Sequence, residues 1–387
     1  IYFTDILQDP IDFYETAELV ATLDLVITVD TAVAHLTGAL GRKLWVLLPF
    51  APDWRWMLSR DSSLWYPNAK LFRQPAPGNW AEPVLKIREK LVNFFNSKET
   101  VPKIDLPEVK PPNMTEFMLS TDSIKFIWFG HSTLLVNINN IIVLIDPVFS
   151  AAAAPVSFIV KRFQPPVLEL KDLPRIDYVL ISHDHYDHLD METVIYLKEK
   201  DLKFIAPLGV TSHLKSWGVD ESKLFEADWW GKLEFEGITF ICTPAQHFSG
   251  RIGTFFGFKT LWASWIVKTE SNSFYFSGDS GYDIHYKEIG DKHGPFDLVF
   301  MDSGSYNERW RPLHNMPEEA VQAVLDLKGE VTVPIGWGMF NLAMHNWFDP
   351  VEESEKYAEK KGITLMTPKL GQLVSMENQN VFEKWWK

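Results

Sequence analysis

The chain has 387 residues, 46% of them hydrophobic and 23% charged, which is too long for one ordinary domain, rich enough for a sizeable core, and unlike a disordered chain. Its formal net charge of -14 argues against nucleic acid as the main partner, because phosphate backbones are held by basic patches. A phosphate-bearing small molecule stays open as substrate, since a bound cation can supply positive charge locally.

The chain begins at Ile1-Tyr2-Phe3, with no Met and no basic leader. No signal peptide is expected, and the missing Met suggests a piece of a longer chain. Phe13 to Leu23 has a helical apolar face. Leu25 to Val29 is a buried-strand run, Ala32 to Leu40 a helix stopped by Gly41, and Leu44 to Leu48 a second buried strand. Alternation of this kind predicts a parallel α/β segment over residues 1 to 97. Residues 98 to 120 hold Pro102, Pro107, Pro111 and Pro112 among Lys and Glu, the composition of an extended linker.

From 121 to 387 the pattern becomes strand-rich. Strands are expected at 124–129, 133–138, 141–145, 178–182, 204–206, 238–243, 263–268, 274–277 and 298–301, with helices at 191–200 and 318–327. Such a pattern suggests two sheets face to face with helices outside. The most apolar stretch, 141–160, is broken by Asp146, Pro147 and Pro155, short of the roughly 18 residues a membrane span needs. One cysteine, Cys242, forbids an intrachain disulfide and fits a reducing, cytoplasmic setting. Most of the 16 Trp are expected in the core, with a few left for an apolar, membrane-facing rim.

The chemistry concentrates after the apolar strand that ends at Ser182. His183, His185, Asp187 and His188 follow at once. A strand end fixes the backbone, and alternate residues of an extended segment face one way. A lone His is ordinarily a core or surface residue. Three of the chain's 11 His within six residues, with an interleaved Asp, instead suit a borderline ion such as Zn²⁺ at about 2.0–2.2 Å. His247 and Asp279 each follow another strand end. An Asp between two ions can bridge them, and two ions about 3.5–4 Å apart clamp an oxyanion.

The run His183-x-His185-x-Asp187-His188 resembles the signature of the metallo-β-lactamase superfamily. Gly130-His131-Ser132-Thr133, Asp146-Pro147-Val148-Phe149, Lys161-Arg162-Phe163, Asp228-Trp229-Trp230, Pro244-Ala245-Gln246-His247, Gly278-Asp279-Ser280-Gly281-Tyr282 and Gly294-Pro295-Phe296-Asp297 extend the likeness. They resemble the N-acylphosphatidylethanolamine phospholipase D branch and its bacterial relatives, over about 120 to 350. The resemblance implies an αββα sandwich with a di-zinc centre. His183, His185 and His247 would hold one ion, Asp187 and His188 the other, and Asp279 would bridge. A further imidazole is expected from an Ile-His-Trp-Gly motif, but this chain reads Ile335-Gly336-Trp337-Gly338. His345 is the nearest replacement.

The implied activity is hydrolysis of a phosphodiester, in a small molecule or a lipid at a membrane surface, by a metal-bound hydroxide. A sugar-lactone hydrolase is the alternative on the same fold, and a non-catalytic binding protein the third reading. Asp187 would orient the hydroxide. His131, His314, Gln246 and Tyr306 are candidates for placing substrate, with His131 and His314 catalytic. Trp229, Trp230, Phe255, Phe256 and Trp262 could line an acyl groove. Asp30 to Leu36 and Leu47 to Trp56 resemble the C-terminal end of heptosyltransferase-type glycosyltransferases. That implies a partial Rossmann-like half of a two-domain fold, without transferase activity alone. Asp30 or Thr31 would cap the helix, with Thr31 and His35 facing any nucleotide diphosphate.

Overall fold

The computed structural model describes residues 13–95, 99–154, 160–251, 260–378 and 381–387. It divides into two compact units, 1–97 and 98–387.

In the first unit α1 (Phe13–Thr22), β1 (Val26–Val29), α2 (Ala32–Ala39), β2 (Leu44–Leu48), β3 (Ala69–Arg73) and α3 (Ala81–Phe95) follow one another. The strands form a parallel sheet in the order β1-β2-β3. Leu44, Val46 and Leu48 pack with Val26, Ala34 and Leu71 on one face. Trp45 packs with Phe72 and Ile87 on the other. That two-sided burial is why β2 reads as an unbroken apolar run. The expected side-chain cap on α2 is not made. Thr31 is the N-cap residue but forms no capping bond. Its hydroxyl donates to the Val29 carbonyl instead, and the Asp30 carboxylate accepts from Trp56 Nε1.

The proline-rich stretch is not a free linker, because it carries apolar side chains that the second unit buries. Leu106 and Phe117 lie in its main core. Val109 N donates to the Leu370 carbonyl, and a short helix, α4 (Met114–Phe117), seats Phe117.

The second unit contains two seven-stranded mixed sheets. The first is built from β4 (Ile124–Trp128), β5 (Leu134–Ile138), β6 (Ile141–Ile145), β7 (Tyr178–Leu180), β8 (Lys203–Pro207) and β9 (Leu224–Ala227). The second runs from β10 (Lys232–Phe235) through β11 (Ile238–Thr243), β12 (Ser264–Lys268), β13 (Ser273–Phe276), β14 (Leu298–Asp302) and β15 (Val331–Ile335) to β16 (Thr364–Leu365). The last strand, β17 (Leu373–Ser375), returns to the first sheet beside β4. Each sheet changes from antiparallel to parallel part-way across, at β6 in the first and β13 in the second.

Alternation decides the layers. Trp265 and Val267, Phe274 and Phe276, and Leu298 and Phe300 face the shared core with β4 to β8. Their neighbours Ile266, Tyr275 and Val299 face a second core with Tyr286, Ile289, Ala320, Val324 and Ala358. Those last residues belong to outer helices, which follow α5 (Met191–Leu197) and α6 (Thr211–Ser216). They are α7 (His285–His293), α8 (Pro317–Asp326) and α9 (Asp349–Lys361). Phe126 meets Phe300 edge-on between the sheets, with ring centroids 5.3 Å apart. The carboxyl ends of β6, β7, β13, β14 and β15 open on the segments that carry Asp146, His183, Asp279, Asp302 and Gly336, the region where α/β sheets place their ligands.

Candidate metal centre

Two groups of donor atoms meet at those strand ends. In the first, His183 Nε2 lies 2.9 Å from His185 Nδ1, and His185 Nδ1 lies 3.2 Å from His247 Nε2. His247 donates from Nδ1 to the Leu313 carbonyl, so its Nε2 keeps a lone pair for the group. Burial drives the His183 and His247 imidazoles well below the usual histidine range, and the neighbouring rings push the same way. Both are neutral, the form that binds a metal.

In the second group His188 Nε2 lies 3.1 Å from Asp279 Oδ1 and 3.5 Å from Asp187 Oδ2. His131 Nε2 lies 2.9 Å from the same Asp187 oxygen. His188 donates from Nδ1 to Asp146 Oδ2 at 2.7 Å. Asp146 is fixed in turn by Ser182, whose backbone N–H and hydroxyl both donate to it. Burial opposes charge on His188, yet Asp279, Asp187 and Asp146 together hold it well above the usual range. The carboxylates create a negative pocket, and the proton on His188 stands where a cation would. Burial also opposes charge on Asp187, and His188 and His131 more than reverse it, so this carboxyl is ionised.

Asp279 joins the groups. Its Oδ1 faces His188, and its Oδ2 lies 3.8 Å from His247 Nε2. Oδ1 is buried and makes no well-aligned hydrogen bond, its near neighbour being His188 Nε2 at 3.1 Å, a position that a cation would satisfy better. Neutral imidazoles and ionised carboxylates in one buried cluster are the donor chemistry of a borderline divalent ion, and these residues fit one.

His314 borders the same cluster, its Nε2 4.0 Å from Asp279 Oδ2 and its ring 5.1 Å from that of His247. Gly336 has φ +79, and a Cβ there would sit 2.7 Å from Asp302 Oδ1. His345 does not replace the imidazole expected at 336. Its Nδ1 donates to the Asn346 carbonyl and its ring stacks on Tyr306, and it enters no donor cluster among the described residues. Tyr306 is held in that stack, and the Gln246 backbone N–H is taken by Ser280 Oγ. Trp229 donates to the Trp262 carbonyl, and Trp262 to that of Ala245, two residues before His247. The Trp230 N–H is bound by the Cys242 carbonyl. Phe255 and Phe256 lie outside the described residues.

Sequence reasoning missed Asp302 and the orienting role of Asp146. Each is a fully buried carboxylate at the end of an apolar strand, and that placement was the available signal. In the first unit His35 stacks on Trp56 and its Nδ1 pairs with the Tyr66 hydroxyl.

The family model for the beta-lactamase superfamily domain matches residues 142–337, half of the chain. The chain belongs to the metallo-β-lactamase superfamily. Like its members, it is a metal-dependent hydrolase with a His/Asp metal-binding cluster. An uncharacterised protein of Mycobacterium tuberculosis is 43% identical over 265 residues, covering 67% of this chain and 71% of that one. The N-acyl-phosphatidylethanolamine-hydrolyzing phospholipase D 1 of Caenorhabditis elegans is 35% identical, covering 76% of this chain and 86% of its own. Among solved structures, an isothiocyanate hydrolase from Delia radicum gut bacteria superposes with a TM-score of 0.51 at 18% identity, covering 65% of this chain and 98% of that one. Among the described residues no helix is long and apolar enough to cross a membrane.

Proposed function

We propose that this hydrolase cleaves a phosphodiester, in a lipid of the N-acylphosphatidylethanolamine class, with two zinc ions. His183, His185 and His247 hold one ion, Asp187 and His188 the other, and Asp279 lies between them. Asp279 carries the reading, because its two oxygens face two separate donor groups. The likeness to the Caenorhabditis elegans phospholipase D supports the substrate class. Bound there, such ions supply positive charge to a phosphoryl group and acidify water toward a pKa of about 7.

The chain's own residues do the rest. Asp187, ionised, holds a proton of the attacking water. Burial opposes charge on His314, but Asp302 and Asp279 raise its pKa to about 9, so the ring is a cation at neutral pH. Its Nδ1–H is committed to Asp302, leaving Nε2–H to donate. Water oxygen joins phosphorus, the bond from phosphorus to the head-group oxygen breaks, and His314 protonates that oxygen as it leaves. The products are a phosphate monoester and an alcohol.

Mass spectrometry of N-acylphosphatidylethanolamine in detergent micelles, incubated with zinc-loaded protein, tests this. Phosphatidic acid and N-acylethanolamine are expected in equal amounts. Turnover of a sugar lactone without phosphodiester cleavage would move the protein to the lactonase reading. The first unit is read as a structural remnant or fusion; were it to bind a nucleotide diphosphate, Thr31 and His35 would matter, and a calorimetric titration with nucleotide sugars that gives no heat removes that reading.

A further inference from the structure

The second donor group lacks the imidazole that residue 336 would bring, and the structure offers a replacement from the segment bridged to 336 and 337. We propose that His131 is a metal ligand and completes the second site in place of residue 336. This rests on the two-ion reading above.

Three observations carry it. The first is spacing. Ligands about 2.0–2.1 Å from a tetrahedral ion stand roughly 3.3 Å from one another. His131 Nε2 lies 3.3 Å from His188 Nε2 and 2.9 Å from Asp187 Oδ2. His188 Nε2 lies 3.5 Å from Asp187 Oδ2 and 3.1 Å from Asp279 Oδ1. Two imidazoles and the Asp187 oxygen therefore stand at mutual ligand spacing, the spacing found in the first group at 2.9 and 3.2 Å, and Asp279 Oδ1 meets them at His188. Two Nε2 atoms that meet across 3.3 Å, with the Asp187 carboxylate beside both, form a donor set that one cation can share.

The second is backbone placement. His131 is bound to the very segment that lacks the imidazole. Its N–H donates to the Trp337 carbonyl at 2.8 Å, and its carbonyl accepts from Gly336 N–H and from Trp128 Nε1. These bonds hold it at φ +50, a conformation rare for a side-chain-bearing residue, and such strain is kept where surrounding structure enforces it. The ring is nearly fully buried, edge-on to Phe340 at 5.5 Å and to His188 at 5.0 Å.

The third is exclusion. Asp302 Oδ1 sits 2.7 Å from where a Cβ at 336 would be. A side chain at 336 would have to displace that carboxylate from its bonds to the Ser280 and Gly304 N–H groups, so with Asp302 in place the imidazole is better supplied from elsewhere. His345 is turned into its stack with Tyr306, and His314 Nδ1 is bound to Asp302.

The test is a metal titration that needs no substrate. Apo protein is titrated with Co²⁺, followed by visible absorption and by competition with a chromophoric chelator. Wild type is expected to take up two ions. His131→Gln should keep the first at wild-type affinity, which also reports an intact fold, and bind the second at least 10-fold more weakly. His131→Glu restores a ligating oxygen and should recover much of that loss, which a purely packing role would not produce. Two ions at wild-type affinity in His131→Gln, or a wild type that binds one ion regardless of residue 131, overturns the proposal. Because no turnover is measured, a failed substrate assignment leaves this result readable.

Discussion

His314 Nδ1 lies 2.9 Å from Asp302 Oδ2, and this contact points the opposite ring nitrogen toward Asp279. Asp302 is itself fixed by the Ser280 and Gly304 backbone N–H groups. If the pair supplies a proton to the leaving oxygen, Asp302→Asn should depend on that oxygen's basicity. With an alkyl phosphodiester kcat should fall about 100-fold, the usual worth of a positioned acid. With bis(p-nitrophenyl) phosphate, whose leaving group needs little protonation, the fall should be far smaller at unchanged metal content. Equal losses on both substrates refute the assignment.

Asp146 is a positioning residue. It orients His188 directly through Nδ1, and reaches His183 of the other donor group only through the Ser182 hydroxyl. Removing a carboxylate partner from a ligating imidazole typically costs 10–100-fold in affinity. Asp146→Asn should therefore weaken the second ion by about that factor and the first by less, since His183 feels Asp146 only through Ser182. Chelator competition separates the two steps, and equal weakening of both ions would contradict the geometry.

The part of this centre written in local sequence was the part that could be read. His183 to His188 stand together in the chain and in space, and His247 and Asp279 were traceable because each ends a strand. The boundaries at Leu44–Leu48, Ile141–Ile145 and Ile238–Thr243 were also legible, because periodicity and turn residues agree there. His345 was chosen by distance along the chain, which says nothing about where its ring turns. His131 is 52 positions before His183 by residue number, and only the bridge to Trp337 brings it to the second group. The strands β3, β9, β10, β15, β16 and β17 were not anticipated, being interrupted by polar residues or proline, or short and held by their neighbours rather than by their own pattern. The linker reading failed because proline content hid Leu106 and Phe117, two core residues.

Gly336 should resist substitution more than an equivalent glycine in open space. Its φ is +79 with Asp302 Oδ1 in the path of a Cβ, whereas Gly362 has φ +73 with nothing nearby. Both pay the left-handed penalty, of about 1 kcal/mol. Gly336→Ala must also displace a buried carboxylate, so urea unfolding should show a loss at least about 1 kcal/mol larger than for Gly362→Ala. Equal losses would mean that Asp302 moves freely.

Chelation should act on stability as well as on turnover. Ions that bind only the folded chain add RT ln(1 + [L]/Kd). The thermal midpoint of EDTA-treated protein should rise with added Zn²⁺ and continue to rise with concentration above saturation. A midpoint indifferent to Zn²⁺ would argue against ions in the buried clusters.

Acid sensitivity has an identifiable contributor away from the metal donors. His285 opens α7 with its ring on Tyr286 at 4.0 Å and its Nε2 3.2 Å from Ser280 Oγ. Burial lowers its pKa from 6.5 to about 4, against a smaller opposing pull from Asp283. The unfolded chain takes up this proton near pH 6.5, while the folded chain refuses it until about pH 4. The stability that the neutral ring permits is therefore complete above pH 6.5 and is lost progressively as pH falls through this window, up to roughly 3 kcal/mol. In His285→Gln the proton site is gone from both states. Between pH 7.5 and 4.5 the variant's unfolding free energy should fall less steeply than that of wild type. The curves should converge toward low pH even if the variant starts lower, and parallel curves would show that His285 titrates alike folded and unfolded.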